Sequence, residues 1–121
     1  MFKISATATF AAAHRLWGYE GACENLHGHN WTVKATVGTA ELNKIGLAYD
    51  FRSLKEKLKE IIDCYDHRFL NEIPPFDKIN ATSENLAKFI YEALAQKLPK
   101  PIKPVSVEVG ESEKYTAIYE E

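Results

Sequence analysis

An α+β fold is predicted for this 121-residue chain: a four-stranded antiparallel sheet with two helices on one face. Three observations carry the prediction. Side chains near both ends alternate apolar with polar, the middle switches to the spacing of amphipathic helices, and prolines separate the two regimes. The resulting order, ββααββ, suits a helical layer packed on an antiparallel sheet. The length is that of a single domain, expected to span residues 1–121.

In the first strand Phe2, Ile4, Ala6 and Ala8 alternate with Lys3, Ser5, Thr7 and Thr9. That two-residue period argues against reading the uncharged stretch after Lys3 as a signal peptide. Trp31, Val33, Ala35 and Val37 form the inward face of a second strand, with Thr32, Lys34 and Thr36 outward. Asp50 then caps a helix whose apolar stripe is Phe51, Leu54, Leu58, Ile61 and Tyr65. Residues 66–81, with Pro74 and Pro75, show neither period and form a connector. A second helix starts near Thr82 or Ser83, with Leu86, Phe89, Ile90, Ala93, Leu94 and Leu98 as its stripe and Pro99 as its stop. Val105, Val107 and Val109 mark the third strand; Tyr115, Ala117 and Tyr119 mark the fourth. A sheet this small leaves two open edges, so a homo-oligomer is expected.

Fifteen basic against seventeen acidic residues give a formal charge of −2. No global field therefore holds nucleic acid or an anionic membrane, and no uncharged run is long enough for a membrane helix. Cys23 and Cys64 form at most one bridge, which suits reduced thiols in a cytoplasmic protein. Cys64, on the first helix, reads as small buried packing.

The chemistry-bearing residues fall into two groups. His27 and His29 flank Gly28 and point to the same side of an extended segment, and pairing of the first two strands would bring His14 to the same place. Three neutral imidazoles with an open fourth position describe a catalytic zinc site. Histidines engaged in separate hydrogen bonds would have the same spacing, and spacing alone leaves both readings open. Cys23, four residues before His27, could be a ligand or a proton acceptor. Asp66 could orient His67, or His67 could simply be a cation at a helix C-terminus. Glu111 follows Gly110 in a position where a turn can present it to a ligand. Thr82 or Ser83 most simply caps the second helix.

Together these residues resemble the family of 6-pyruvoyltetrahydropterin and 6-carboxytetrahydropterin synthases. The matching stretches run in order along the whole chain: Phe10-Ala-Ala-Ala-His14-Arg15-Leu16, Cys23-x-x-x-His27-Gly28-His29-Asn30, Gly46-x-x-x-Asp50-Phe51, Asp66-His67-x-x-Leu70-Asn71, Thr82-Ser83-Glu84-Asn85 and Glu111-Ser112. Ala81 departs from the proline many relatives carry.

The resemblance implies the tunnelling fold (T-fold), in which subunits pool their strands into a barrel and trimers usually stack into a hexamer. It implies that His14, His27 and His29 hold Zn2+ and that Cys23 accepts a proton, assisted by Asp66 and His67. It implies that Glu111 anchors a pterin ring near Thr82 and Ser83, the substrate being the small molecule 7,8-dihydroneopterin triphosphate. Three residues between Cys23 and His27 resemble the 6-carboxytetrahydropterin branch of queuosine (7-deazapurine) biosynthesis, whereas the pyruvoyl branch typically has a longer gap. A metal-stabilised assembly that binds a pterin without converting it would need the same histidines but no Cys23, Asp66 or His67.

Overall fold

The computed structural model describes residues 1–18 and 25–121. Strands β1 (Phe2–His14) and β2 (His27–Thr39) pair antiparallel along their full length, Phe2 opposite Thr39 and His14 opposite His27. Helix α1 (Phe51–Ile62) is followed by the short strand β3 (Arg68–Phe69), a 3-10 turn (Leu70–Glu72) and helix α2 (Ser83–Lys97). Strands β4 (Lys103–Gly110) and β5 (Ala117–Glu120) complete the chain. The sheet order is β3-β1-β2-β4-β5.

The expected α+β layering is present, with one strand more than the periodicity revealed. β3 adds a fifth strand inside the 66–81 connector and runs parallel to β1, so the sheet is not purely antiparallel. It pairs only Arg68 and Phe69 with Ala12 and Ala13. Two residues are too few for an alternating pattern to be read.

Burial is one-sided. Phe10 and Ala12 of β1, Trp31, Val33, Ala35 and Val37 of β2, and Val107 and Val109 of β4 pack against Leu54, Leu58 and Ile61 of α1 and Leu86, Ile90 and Leu94 of α2. The opposite face exposes Lys3, Ser5, Thr7, Thr9 and Lys34. The caps form as read: Asp50 accepts from the amides of Arg52 and Ser53, and the Thr82 hydroxyl accepts from the amide of Asn85.

Three assignments at element ends are corrected. Phe51 is 64% exposed, because it starts α1 one turn before the residues that meet the sheet. Cys64 is exposed rather than packed, since α1 ends at Ile62 and no helical face carries the thiol inward. Tyr115 is also exposed, and the last strand begins at Ala117. No helix among the described residues is long and apolar enough to cross a membrane.

Candidate functional site

The β1/β2 register builds the site. His27 and His29 share the helix-facing side of β2 with Trp31, as residues two apart on a strand must, and His14 enters from the end of β1 directly opposite His27. His14 is fully buried, with its ring centroid 4.5 Å from that of His27 and 5.1 Å from that of His29. Trp31 lies beneath them, edge-on at 4.9 Å from His14 and 5.3 Å from His29.

Backbone carbonyls set the direction of the lone pairs. His14 Nδ1 donates to the Ala81 carbonyl at 2.8 Å, and His27 Nδ1 donates to the Asn25 carbonyl at 2.6 Å. A carbonyl only accepts, so each neutral ring keeps its proton on Nδ1 and leaves Nε2 as a lone pair. Those two Nε2 atoms face each other at 2.9 Å. Two acceptors cannot satisfy one another. His29 Nε2 is also buried, with no hydrogen-bond partner among the described residues. Two lone pairs fixed by Nδ1–H···O=C bonds, beside a third imidazole nitrogen that is buried without a hydrogen-bond partner, are an arrangement that a cation would satisfy.

Glu111 completes the group. Its Oε2 lies 3.3 Å from His29 Nε2 and its Oε1 3.6 Å from His14 Nε2. One ligand atom from each of His14, His27, His29 and Glu111 lies within 4.8 Å of all the others. The turn that presents Glu111 depends on Gly110, where a Cβ would meet the Tyr115 carbonyl at 2.6 Å and the Ser112 carbonyl at 2.7 Å. Imidazole-rich donors with one carboxylate fit zinc and its first-row neighbours, whereas Ca2+ and Mg2+ call for oxygen sets.

Burial pushes the His14 and His29 pKa values below the ordinary 6.5, against the smaller opposing effect of Glu111. The metal-free fold therefore binds fewer protons at these rings than the unfolded chain does. Its stability is full above about pH 6.5 and declines as pH falls through the lowered values. Urea unfolding of chelator-treated protein is expected to have a lower midpoint at pH 5.5 than at pH 7.5; equal midpoints would contradict the burial argument.

Beside the candidate metal group lies a cavity of about 330 Å3, lined by His29, Ser83, Glu111, Ser112, Tyr115 and Thr116 among others. Ser83 thus borders the candidate ligand space, while the Thr82 hydroxyl is engaged in capping α2.

Asp66 and His67 form their own pair, His67 Nδ1 lying 3.1 Å from Asp66 Oδ1. They grip the edge of β1: Asp66 Oδ1 accepts from the Ala11 amide at 3.0 Å, and the His67 amide donates to the Ala11 carbonyl at 2.6 Å. His67 has φ 59°, a left-handed conformation uncommon outside glycine, and its side chain is 81% exposed. The Ala11 amide, and then His67, hold the Asp66 carboxyl below the usual carboxylate range. This pair is not part of the His14, His27, His29 and Glu111 group, although His67 shares a shallow depression with Gly28, His29 and Asn30. Cys23 lies outside the described residues.

Several supporting groups were given no role by the sequence reading. Asn71 exchanges two hydrogen bonds with the backbone of Arg15, and Asn80 exchanges two with that of Trp17, holding the chain where it leaves β1 after His14. The Ala81 carbonyl that orients His14 is a backbone group and has no signature in residue type. Glu111 was read as a ring anchor, and nothing in its neighbours signalled its approach to the histidines.

Residues 3–121 match the family model described as 6-pyruvoyl tetrahydropterin synthase. The chain is 31% identical over 115 residues to a 6-carboxy-5,6,7,8-tetrahydropterin synthase of Haemophilus influenzae, covering 91% of this chain and 77% of that protein. It is 35% identical over 97 residues to a 6-pyruvoyl tetrahydrobiopterin synthase of Dictyostelium discoideum, covering 70% and 72%. A solved 6-pyruvoyl tetrahydropterin synthase from Caenorhabditis elegans superimposes with a TM-score of 0.85 at 29% identity, covering 99% of this chain and 95% of that one. The T-fold architecture is shared, and the chain belongs to the 6-pyruvoyl tetrahydropterin synthase family of pterin synthases.

Proposed function

We propose that this chain is a zinc-dependent 6-carboxy-5,6,7,8-tetrahydropterin synthase. It converts 7,8-dihydroneopterin triphosphate with loss of triphosphate and acetaldehyde, as a single-domain cytoplasmic enzyme of queuosine (7-deazapurine) biosynthesis. The observation that carries a metal-dependent reading is the meeting of three imidazoles beside a cavity, two with their Nε2 lone pairs facing each other and the third with a buried, unpartnered Nε2. The three residues between Cys23 and His27 favour the carboxy product. Relatives bearing the pyruvoyl name keep the sister reaction, triphosphate loss alone, as the second reading.

His14, His27 and His29 would hold the zinc, which when bound supplies Lewis acidity to the hydroxyls of the substrate side chain. The Glu111 carboxylate accepts two hydrogen bonds from the guanidine-like edge of the pterin, and Ser83 borders the ring. Cys23 accepts a proton from side-chain carbon. Asp66 orients His67, which exchanges a proton with the substrate. Because this pair stands apart from the metal group of its own chain, it is assigned to the site of an adjacent subunit in a trimer or dimer of trimers. The stretch of β1 from Phe2 to Ala11 pairs with no strand on its outer side among the described residues, which leaves an edge for such an assembly.

The test is product identity. Incubation with 7,8-dihydroneopterin triphosphate is expected to release acetaldehyde and a 6-carboxy pterin by mass; a pyruvoyl product without acetaldehyde would move the chain to the sister branch. Cys23→Ala is expected to retain zinc while turnover falls about 10²- to 10⁴-fold. Full turnover in that variant removes Cys23 from the mechanism.

A further inference from the structure

We infer that Asn71 and Asn80 are positioning residues of the proposed reaction: their side-chain amides take the place of a strand partner beyond β1 and fix where the chain departs toward Cys23. The inference rests on the reading of Cys23 as proton acceptor, and it gives a role to two residues outside the group formed by the histidines and Glu111.

The pairing of β1 with β3 ends at Ala13, and its pairing with β2 ends at His14. Beyond that point two asparagines continue the ladder. Asn71 Oδ1 accepts from the Arg15 amide at 3.0 Å, and Asn71 Nδ2 donates to the Arg15 carbonyl at 2.9 Å. Asn80 grips Trp17 in the same way, accepting from its amide at 2.8 Å and donating to its carbonyl at 3.0 Å. On a strand edge the N–H and C=O of one residue point the same way, and residues two apart share that edge. Each side-chain amide therefore pairs as a neighbouring strand would. Gly18 follows at φ 73°, in the left-handed region that favours glycine, so the chain turns directly after the second grip.

All four bonds lie at the surface, where water would satisfy the same backbone groups. Their effect is to order the chain, not to rescue buried polar atoms. Both grips stand on fixed bases. Asn71 follows the fully buried Leu70, and the Asn80 carbonyl accepts from Asn85 Nδ2 of α2 at 2.9 Å. On the far side of Cys23 in the sequence, the Asn25 carbonyl accepts from His27 Nδ1. The stretch that carries Cys23 thus has both its ends tied to the body of the fold. A proton acceptor depends on such ends, since a misplacement of about 1 Å costs about 10²-fold in rate.

Asn71→Ala and Asn80→Ala are each expected to lower kcat with 7,8-dihydroneopterin triphosphate about 10- to 100-fold, while KM stays within about threefold and metal per chain is unchanged. In Cys23→Ala protein the same substitutions should cost less than about twofold more, because the group they position is gone. Wild-type kcat in both asparagine variants overturns the inference. So do losses that multiply with that of Cys23→Ala, and so does a loss of metal in step with kcat, which would place the effect at the histidines. Urea unfolding checks that each variant is folded at the assay temperature, and either asparagine alone suffices because the two sit on separate stretches of chain. Full turnover in Cys23→Ala removes the proton-acceptor reading and the inference with it. Reduced turnover in Cys23→Ala beside unaffected asparagine variants removes the inference alone.

Discussion

His14→Ala is expected to abolish stoichiometric metal binding and to lower turnover at least about 10³-fold, the order of several kcal/mol of lost transition-state stabilisation. His14 is the fully buried member of the histidine group, and its ring is oriented by the Ala81 carbonyl. Its Nε2 lies within 3.6 Å of both His27 Nε2 and a Glu111 oxygen, so removing it takes away an atom in contact with two other members of the group. The variant also leaves the Ala81 carbonyl without its donor, at a cost of about 1–3 kcal/mol. Part of that is offset in the metal-free protein, because the two facing lone pairs no longer oppose each other. Elemental analysis per chain and a turnover assay check the result. A variant with full metal and full turnover would show that the three rings do not act as one site.

Trp31→Ala is expected to destabilise the metal-free protein by about 3–5 kcal/mol, the range for truncating a large buried aromatic. Trp31 is inaccessible to solvent and stacks on Phe10 with ring centroids 5.9 Å apart and planes 5° from parallel. Its Nε1 donates to the Ala12 carbonyl at 3.1 Å, which ties β2 to β1 just below the histidines. The same ring supports His14 and His29, so the cavity left behind loosens two of the candidate ligands, and metal affinity is expected to fall with stability. Trp31→Phe keeps most of the packing but strands the Ala12 carbonyl, and should cost less than the alanine variant. Urea unfolding of chelator-treated protein at one fixed concentration measures both. A loss below about 1 kcal/mol for Trp31→Ala would mean that this part of the sheet repacks freely.

The longer elements were legible because their burial is one-sided. Trp31 to Val37 alternates because one face of β2 meets the helices and the other meets water. The stripe Leu54, Leu58 and Ile61 repeats at helical spacing for the same reason. β3 was illegible because two residues carry no period, and Phe51, Cys64 and Tyr115 were misplaced because periodicity does not say where an element stops meeting its neighbour.

At the site the division is similar. That His27 and His29 share a face follows from strand geometry and is written in the residues themselves. The direction of their lone pairs is not, since it comes from the carbonyls of Asn25 and Ala81, and a peptide group is the same whatever side chain it bears. The approach of Glu111 to His14 and His29 depends on how β4 turns after Gly110 next to β2. Local sequence thus determined which groups this protein could offer a metal. Only the packing of the distant β4–β5 turn and the start of α2 around β1 and β2 decided which atoms meet, because hydrogen-bond direction and contact between remote segments are properties of the assembled backbone.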